Sequence, residues 1–508
     1  MSNTPPIKRR DFLKYAGAAA AAAALGRPAA AQPGRRPPNI VYILADDLGY
    51  GELGCYGQRK IRTPNIDRLA AEGMRFTQHY SGSPVCAPSR CTLLTGQHTG
   101  HAFVRDNYEL GGWKKDSREG QLPLPPGTVT LARLLKQRGY RTCAIGKWGL
   151  GGPDTSGHPN LQGFDHWFGH LCQRVAHNYY PDHLWRNDQR VELEGNPWFP
   201  AHQKLDEVPD DPRFYRRYLG KQYAPDLMIA EALDFVRQNR DRPFFLYFAT
   251  PVPHAALQVP EDSLAQYAGR FPETPYLGGK GYLPHPTPRA AYAAMVSRMD
   301  RDIGRLVNLI DELGLGPDTL IIFASDNGPT FNGGADSAFF HSAGPLRGLK
   351  CSLYEGGIRV PMIARWSGHI RPGTTSAHVS AFWDVLPTVM EIVGGPVPEG
   401  LDGLSFAPTL LGRGQQRTHD YLYWEFRAYG GGQAVRIGPW KGLRLNIRKS
   451  DKPRIALYNL ADDVGELYDV ADQHPDIVAR IAQIMRQARV PSEYFPLFKG
   501  EKRRKFTG

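Results

Sequence analysis

The sequence lacks the marks of several protein classes. It has only six cysteines among 508 residues, too few for a disulfide scaffold in a chain of this length. No two cysteines have the spacing of a structural zinc site, and no RNA-binding signature is present. After the N-terminal segment, no run of ~20 apolar residues could span a membrane. We therefore expect no nucleic-acid partner and no stable membrane insertion, and we presume no disulfides.

The remaining composition is that of an ordinary globular protein. Hydrophobic residues make up 41% and charged residues 22% of the chain, which excludes a disordered or fibrous protein. The 55 glycine and 43 proline residues exceed the usual combined share of ~12% and predict many turns and long loops. The length allows one large domain and a smaller one. The formal net charge of +12 suits a polyanionic partner without singling one out.

The N-terminal residues have the three-part plan of an export signal. A basic segment at residues 8–14 precedes an apolar run at residues 16–25, and small residues follow at 29–31. The arginine pair of the basic segment resembles the twin-arginine type of signal, although Lys8 stands where that motif usually has Ser or Thr. We predict a signal peptide at residues 1–31, transient binding to the export machinery, and a periplasmic or secreted protein.

Short apolar runs predict buried strands, and segments of helical periodicity lie between them. Strands that alternate with helices form a parallel sheet whose faces are covered by the helices. We therefore expect an α/β fold with a large, mostly parallel sheet sandwiched by helices. The predicted strands are at residues 39–45, 140–145, 244–249 and 319–324, and the predicted helices are at residues 129–138 and 292–313.

Polar residues follow each of these strands closely. In open α/β sheets the ligand site lies beyond the carboxyl ends of the strands, so we expect these polar residues to converge. Each of them taken alone could be only a turn or cap residue, but six such residues at four strand ends favour a common site. They are Asp46, Asp47, Lys147, His254, Asp326 and Asn327.

A second, smaller unit is predicted at the C-terminus. Residues 395–416 are rich in glycine and proline, as in a linker. The segments that follow predict a small antiparallel sheet with one helix. We therefore predict a catalytic domain at residues 32–395 and a C-terminal subdomain at residues 396–508. The strand-like segments are at residues 421–426, 434–437, 442–447 and 455–460, and the helix is at residues 475–489.

The strongest local motif begins at Cys86. It reads CAPSR, ends at Arg90 and is followed within a few residues by Thr95-Gly96. This pattern resembles the signature of the type I sulfatases, in which a formylglycine-generating enzyme oxidises the cysteine to Cα-formylglycine. The resemblance extends over nearly the whole mature chain and implies an alkaline-phosphatase-like fold. A buried structural thiol is the alternative interpretation of Cys86.

Formylglycine at position 86 would have a physical purpose in the hydrolysis of a sulfate ester. Such an ester is an anion that repels nucleophiles, and a hydrated aldehyde offers two hydroxyl groups on one carbon. One hydroxyl attacks sulfur and displaces the alcohol, and loss of the second hydroxyl's proton then expels sulfate and regenerates the aldehyde. A serine would remain trapped as its sulfate ester because it has no second hydroxyl. This is nucleophilic catalysis divided into two easier steps.

The predicted site also holds a metal. Carboxylate and amide oxygens suit a hard cation such as Ca²⁺ or Mg²⁺ rather than zinc or copper, and the resemblance implies Ca²⁺. The metal would acidify the hydroxyl of residue 86 and hold a sulfate oxygen. A helix N-cap is the alternative interpretation of Asp46 and Asp47. The expected metal ligands are Asp46, Asp47, the modified Cys86, Asp326 and Asn327.

Cations and proton-transfer groups complete the catalytic set that the resemblance implies. An arginine one helical turn after residue 86 would orient that residue. Two lysines would bind sulfate oxygens and the charge developing on the leaving oxygen. A histidine would protonate the leaving oxygen, and an aspartate would take the proton of the attacking hydroxyl. The arginine is Arg90, and the lysines are Lys147 and Lys350. The histidine is His254, the aspartate is Asp326, and Cys86 completes the expected catalytic set.

One position departs from the family pattern. The family commonly has histidine after Gly-Lys-Trp, whereas this chain has Gly149, which has no side chain to form hydrogen bonds. The family's histidine contacts the formylglycine hydroxyl, so either another group serves here or the elimination of sulfate is slower. His101, His177 and His341 are possible substitutes that the sequence does not rank.

A polar and aromatic stretch at residues 173–186 is a candidate substrate wall, with plain loop packing as the alternative. Residues 105–107 are a weaker candidate. Together these features predict an exported sulfatase that acts on a carbohydrate O-sulfate or an aryl sulfate. Two alternatives are a phosphonate or phosphate ester hydrolase of the same superfamily, and a non-catalytic sulfoglycan-binding protein. The intact signature at Cys86 disfavours the latter, because binding needs no formylglycine.

Overall fold

The computed structural model describes residues 36–450 and 452–506, so the predicted signal peptide lies outside the described residues. The strands are β1 (Asn39–Ala45), β2 (Met74–Tyr80), β3 (Arg141–Lys147), β4 (His166–His170), β5 (His183–Arg186), β6 (Gln189–Glu192), β7 (Phe244–Ala249), β8 (Thr319–Ser325), β9 (Arg359–Arg365), β10 (Thr374–Ser376), β11 (Ser380–Ala381), β12 (Leu422–Phe426), β13 (Gly432–Ile437), β14 (Trp440–Leu445) and β15 (Ile455–Asn459). The helices are α1 (Pro64–Ala71), α2 (Cys86–Thr95), α3 (Leu131–Gln137), α4 (Ala224–Asn239), α5 (Glu261–Leu264), α6 (Pro288–Glu312), α7 (Ser337–Phe340), α8 (Glu355–Ile358), α9 (Val385–Ile392), α10 (Ala407–Leu411) and α11 (Pro475–Gln487).

Strand β1 lies near the middle of the large sheet, between two parallel neighbours. Its residue Val41 pairs with Ile321 of β8 on one side and with Leu246 of β7 on the other. Strands β3 and β4 continue the parallel set beyond β7, and antiparallel pairings lie on both sides of this set. The predicted α/β fold with a large, mostly parallel sheet is therefore confirmed. The strand order of this eleven-stranded sheet is β10-β2-β9-β8-β1-β7-β3-β4-β5-β6, with β11 paired to β2.

Helices cover both faces of the large sheet, as predicted. Side chains alternate along a strand, so neighbouring residues of β1 face opposite sides. Val41 and Ile43 belong to the core that includes apolar residues of α4 and α6. Ile40 and Tyr42 belong to the core on the other side, with apolar residues of α2, α3 and α9. A strand buried on both faces needs a continuous apolar sequence, which explains why β1 reads NIVYILA.

The strand directions bring several chain segments to one edge of this sheet. The parallel strands β1, β3, β7 and β8 end at this edge. Strand β2 has the same direction as β8, because both are antiparallel to β9 between them. Cys86, which follows β2, therefore reaches the same edge. Strand β9 begins where the others end, so the preceding Lys350 reaches it as well.

The C-terminal residues form a four-stranded antiparallel sheet in the order β12-β13-β14-β15, as predicted. On one face, Trp424 of β12 packs in a core with Trp383 from the large domain. On the other face, Tyr423 packs in a core with Ile481 of α11. The small sheet is therefore buried between the large domain and its own helix.

Buried charges also attach the small sheet to the large domain. The Nζ atom of Lys441 on β14 lies 2.9 Å from Glu355 Oε1 and 3.0 Å from Glu466 Oε1, and all three side chains are fully buried. The segment predicted as a linker also packs: Phe406 and Leu410 are buried in the core of the large domain. Among the described residues, no helix has the length and apolar character needed to cross a membrane.

Candidate active site

The residues that follow the central strands meet at the carboxyl edge of the large sheet. Asp46 and Asp47 follow β1, and Asp326 and Asn327 follow β8 beside it. Lys147 ends β3, and the loop after β7 carries His254. The chain also brings Cys86, Arg90 and Lys350 to this point, so the structure places all nine residues expected at the site close together through the contacts described below. They are almost completely buried, apart from Lys350, whose side chain is 10% exposed.

Cys86 is the first residue of α2, and its side chain is buried between opposite charges. Its Sγ atom lies 3.4 Å from Asp46 Oδ1 and 3.5 Å from Lys147 Nζ. Burial raises the pKa of this thiol far above its ordinary value, and the charge of Asp46 raises it further. An unmodified Cys86 therefore stays protonated at neutral pH.

Arg90 lies one turn further along α2 and binds two carboxylates. Its Nη2 atom donates to Asp46 Oδ2 at 3.1 Å and to Asp326 Oδ2 at 2.9 Å, and its Nη1 atom donates to the carbonyl oxygen of Lys147. These contacts fix the first turn of α2 against β1, β3 and β8. Arg90 thereby sets the position of Cys86 relative to the carboxylates.

Two lysines each bind one of the adjacent aspartates. Lys147 Nζ lies 2.7 Å from Asp46 Oδ2, and Lys350 Nζ donates to Asp47 Oδ2 at 2.8 Å. Burial alone would raise the pKa of Asp46, but Lys147 and Arg90 outweigh burial and hold that pKa below its usual range. Burial would lower the pKa values of the two lysines, but Asp46 and Asp47 respectively raise them. The three carboxylates and three cations of the site thus balance in charge.

His254 is held as a neutral imidazole in this arrangement. Its Nδ1 atom bonds the carbonyl oxygen of Ala255, and its Nε2 atom lies 2.9 Å from Lys350 Nζ. Because the lysine can only donate, Nε2 accepts and the ring proton is on Nδ1. Burial, Lys147 and Lys350 lower the pKa of His254 to about 3. The ring of His177 stacks on His254 with centroids 5.0 Å apart.

The carboxylate and amide oxygens at this edge fit a hard cation. Ligand atoms of Asp46, Asp47, Cys86 and His254 all lie within 4.8 Å of one another. Asn327 donates through Nδ2 to Asp47 Oδ1 at 2.7 Å, while its buried Oδ1 has no hydrogen-bond partner among the described residues. A buried amide oxygen without a partner is costly, and a cation would satisfy it.

Asp326 lies beside this donor group and binds the backbone of the Asp46-Asp47 pair. Its Oδ1 atom accepts from the backbone N–H of Asp47 at 3.1 Å. Burial and the nearby Asp46 raise the pKa of Asp326 above its usual range. The carboxylates therefore repel one another at the place where a divalent ion would compensate them.

A second group of metal-ligating types, His98, His101 and Asp402, lies outside this site. The backbone N–H of Gly100 donates to His98 Nδ1 at 3.1 Å. The proton of His98 is therefore on Nε2, which lies 3.5 Å from Asp402 Oδ1. His98 presents an N–H rather than a lone pair to this group, so we assign no metal there.

The space beside Gly149 is filled by another side chain. Gly149 has φ +82°, and a Cβ atom added there would lie 2.4 Å from Gln173 Nε2. The backbone N–H of Gly149 bonds the carbonyl oxygen of Leu171, so the segment after β3 runs beside the segment after β4. Gln173 is 3% exposed, and its Nε2 has no hydrogen-bond partner among the described residues.

The three histidines considered as substitutes at Gly149 lie in different places. His177 stacks on His254 at the site. His101 binds Asp402 through Nδ1 at 2.9 Å, in the second group of metal-ligating types. His341 follows α7 in a left-handed conformation with φ +52°, and its side chain forms no hydrogen bond, ion pair or ring contact with a site residue among the described residues. Of the three, His177 is the one that the fold brings to the active site.

The predicted substrate wall is partly structural. Tyr179 is buried, and its hydroxyl donates to the carbonyl oxygens of Pro251 and His254, each at 2.7 Å, so it supports the His254 loop. The weaker candidate Arg105 is also structural, because its Nη1 lies 2.9 Å from the buried Glu425 of the small sheet. The sequence reasoning missed Tyr282, whose ring lies 5.6 Å from that of His254. No motif marks the loop that carries it.

Comparisons with known proteins match nearly the whole described chain to one family. Residues 38–395 match the family described as Sulfatase, and residues 349–490 match N-sulphoglucosamine sulphohydrolase, C-terminal. Residues 6–26 match the TAT (twin-arginine translocation) pathway signal sequence, which confirms the predicted export signal.

Individual relatives agree with this match. The chain is 34% identical to arylsulfatase A of Homo sapiens over 502 residues, which covers 88% of this chain and 87% of that protein. It is 33% identical to N-acetylgalactosamine-6-sulfatase of Homo sapiens over 510 residues, which covers 90% of this chain and 87% of that protein. The solved structure of Ps i-CgsB in complex with k-i-k-neocarrahexaose has a TM-score of 0.72 and 29% identity, with 89% of this chain and 92% of that chain covered.

The contact between Gly149 and Gln173 predicts a measurable coupling. Gly149→Ala should destabilise the protein through backbone strain at φ +82° and through the clash of its Cβ with the Gln173 amide. In the Gly149→Ala background, Gln173→Ala removes the clash but leaves the backbone strain. The double variant should therefore be more stable than additivity predicts, by about 0.5–3 kcal/mol. Urea unfolding of the wild type, both single variants and the double variant gives this interaction free energy.

Gly139→Ala is the matched control for this cycle. Gly139 has φ +83°, and nothing lies within 4 Å of an added Cβ. Its substitution should cost only the backbone strain, about 1–2 kcal/mol, and the cost should be the same in the wild type and in the Gln173→Ala background. Purely additive effects of Gly149→Ala and Gln173→Ala would contradict the close contact described here.

Proposed function

We propose a mechanism for this chain from the premise that it belongs to the sulfatase family and hydrolyses sulfate esters. Residue 86, after conversion of Cys86 to formylglycine, is the proposed nucleophile. The observation that carries the proposal is that Cys86 Sγ contacts both Asp46, at 3.4 Å, and Lys147, at 3.5 Å. One atom of residue 86 thus lies between the carboxylates that can hold a metal and the cations that can hold a sulfate.

The surroundings of Cys86 support its modification. A buried thiol whose pKa is raised by burial and by Asp46 is a poor nucleophile. Formylglycine supplies, in its hydrated form, two hydroxyl groups on one carbon, one to displace the alcohol and one to release sulfate. Because Cys86 is only 1% exposed, the formylglycine-generating enzyme must act before the chain folds. Twin-arginine cargo folds before export, so this modification belongs in the cytoplasm.

The proposed metal is Ca²⁺, with Mg²⁺ as the alternative. Oxygen atoms of Asp46, Asp47, Asp326, Asn327 and residue 86 would hold it, and the unpaired Asn327 Oδ1 supports this assignment. When bound, the ion would acidify the hydroxyl of residue 86 and attract a sulfate oxygen. Asp326, whose pKa is raised by burial and Asp46, is the proposed acceptor of the nucleophile's proton.

The cations of the site are the proposed binding groups for the ester's sulfate. Arg90 remains bound to Asp46 and Asp326 and orients residue 86. Lys147 and Lys350 each contact one aspartate oxygen, and a bound divalent ion would take the place of the ammonium group at that oxygen. The two ammonium groups would then be available for sulfate oxygens. Because the fixed charges of the site balance, an added divalent ion leaves it positive and suited to an anionic ester.

His254 is the proposed proton donor to the leaving oxygen. Without substrate, its Nε2 accepts from Lys350 at 2.9 Å and carries no proton. A bound sulfate ester would draw Lys350 toward its oxygens and would add negative charge beside the ring. Both changes favour the imidazolium form, which can donate through Nε2.

A sulfated carbohydrate is the proposed natural substrate. N-acetylgalactosamine-6-sulfatase is among the relatives, and the solved structure of Ps i-CgsB is a complex with k-i-k-neocarrahexaose. Arylsulfatase A is also a relative, and a small aryl sulfate is therefore a practical assay substrate. The export signal at residues 6–26 supports hydrolysis in the periplasm or the medium. The export machinery and the formylglycine-generating enzyme would be transient partners.

Mass spectrometry tests the nucleophile. In protein from a host with a formylglycine-generating enzyme, residue 86 should be about 18 Da lighter than cysteine. Cys91, which is equally buried on the same helix, is the internal control and should remain a thiol that can be alkylated after unfolding. Cys86→Ala should abolish turnover. Active protein in which all Cys86 is unmodified would contradict the proposed chemistry.

Metal removal tests the proposed ligands. After chelation, activity should return with Ca²⁺ or Mg²⁺ and should not require zinc. Free Ca²⁺ at 100 times its Kd should also raise the free energy of unfolding by about 2.7 kcal/mol, which is measurable in the chelated protein without an activity assay. Asn327→Ala should weaken this binding at least about tenfold.

Asp402→Asn is the control for the metal test, because Asp402 belongs to the second group of metal-ligating types. Its calcium response should equal that of the wild type. If Asn327→Ala leaves calcium binding unchanged, or if only the Asp402 variant alters it, the proposed metal site is wrong.

Leaving-group dependence tests His254. A sugar alkoxide is strongly basic and needs a proton, whereas a nitrophenolate is stable without one. General acid catalysis is typically worth about 10²–10⁴-fold, so His254→Ala should lose much more kcat on a sugar sulfate than on nitrophenyl sulfate. His101→Ala, outside the site, should leave both rates unchanged. Equal losses on the two substrates would instead assign His254 to sulfate binding.

A further inference from the structure

A small cleft of about 40 Å³, whose lining includes none of the nine active-site residues, contains cations without ion-pair partners. The indole rings of Trp113 and Trp198 line it and are 51% and 39% exposed. Arg174 and Lys115 also line it, and neither forms an ion pair with a described carboxylate. Arg174 is only 7% exposed, its Nη2 donates to the carbonyl oxygen of Arg118 at 3.3 Å, and its Nε is buried without a hydrogen-bond partner among the described residues.

The carboxylates in the wall of this cleft already have a cationic partner. His183 lies between them, with Nε2 at 2.7 Å from Glu119 and Nδ1 at 2.8 Å from Asp182. Burial would lower the pKa of His183, but Asp182 and Glu119 raise it to about 9, so the ring is charged at neutral pH. Against these two carboxylates, the cations His183, Arg174 and Lys115 leave the lining of the cleft with one net positive charge. A buried guanidinium without an anion is costly, and a bound anion would offset that cost.

The cleft is connected to the active site through ring contacts. The guanidinium of Arg174 lies 5.9 Å from the ring centroid of Trp113. The ring of Trp113 stacks on His177 at 5.5 Å, and His177 stacks on His254 at 5.0 Å. The cleft thus begins on the far side of His177 from the proposed proton donor. Trp113 and Arg174 thus lie one ring beyond His177 from the proposed proton donor.

We propose that Trp113, Lys115, Arg174 and Trp198 form a subsite for a second acidic group of the substrate. The substrate would then be an oligosaccharide that carries at least one sulfate or carboxylate besides the ester being hydrolysed. The indole faces would pack against its sugar rings, and Arg174 would bind the second anion with charge-assisted hydrogen bonds. This inference rests on the proposed function and adds the substrate class: a polyanionic glycan rather than a small sulfate ester.

Competition against an aryl sulfate tests the subsite without knowledge of the natural glycan. The hydrolysis of nitrophenyl sulfate is measured in the presence of a carrageenan hexasaccharide, a chondroitin 6-sulfate hexasaccharide or glucose 6-sulfate. At least one hexasaccharide should inhibit the wild type more strongly than the monosaccharide. Arg174→Met should raise the inhibition constant of that hexasaccharide about 10- to 100-fold, and Trp113→Ala should raise it about 3- to 10-fold. Inhibition by glucose 6-sulfate, and kcat and KM for nitrophenyl sulfate, should change less than about twofold.

Two controls keep this test decisive. Trp113 is exposed, so its substitution does not disturb the core even if Arg174→Met fails to fold. Arg237→Met, at an exposed arginine of α4 paired with Asp234, should leave every inhibition constant unchanged. Added salt should weaken hexasaccharide inhibition of the wild type more than that of Arg174→Met.

The outcomes separate the subsite from the proposed function. If neither hexasaccharide inhibits better than glucose 6-sulfate, or if the Trp113 and Arg174 variants leave hexasaccharide inhibition unchanged, the subsite proposal is overturned. Parallel weakening of monosaccharide and hexasaccharide inhibition would also overturn it. Absence of hydrolysis of nitrophenyl sulfate and of both sulfated hexasaccharides by formylglycine-containing wild-type protein would instead contradict the proposed function itself.

Discussion

Three carboxylates are buried together at one edge of the large sheet, and the chain can fold only if positive charges offset their mutual repulsion. Arg90 bridges Asp46 and Asp326, and two lysines contact Asp46 and Asp47. These ion pairs fix the first turn of α2, the end of β3 and the loop before β9 relative to the sheet. The same charges that stabilise this edge are the groups that a metal and a sulfate ester would engage.

The topology explains why these charges can meet. Five adjacent parallel strands end at this edge, whereas the antiparallel strand β9 begins there, so Lys350, which precedes β9, reaches the same edge. Strand β2, on the far side of β9, delivers Cys86 at the start of a helix. Backbone N–H groups at a helix N-terminus favour negative charge, which suits a residue that must approach an anionic ester. The small sheet adds no residue to this cluster among the described residues, but its buried Lys441 contacts Glu355 close to Lys350 in the chain.

Residues in the site were predictable where a local pattern marks them. The apolar run of β1 predicts the strand, and the polar pair after it predicts the position of Asp46 and Asp47. The long helix predicted from residue 292 begins earlier, at Pro288, because proline fits the first turn of a helix. Gln173 beside Gly149 was not predictable, because their contact depends on how two loops after neighbouring strands pair. The contact of Trp113 with His177 has the same origin, since it joins segments that share no periodicity.

The central claim is that this balanced cluster of carboxylates and cations is a metal site that also receives sulfate. A crystal structure of the formylglycine-containing protein grown with Ca²⁺ and sulfate tests it most directly. We predict one ion whose oxygen ligands, at about 2.3–2.6 Å, come from Asp46, Asp47, Asp326, Asn327 and residue 86. The ammonium groups of Lys147 and Lys350 should leave the aspartate oxygens and contact the sulfate. Both lysines still bound to Asp46 and Asp47, with no ion among the carboxylates, would contradict the account.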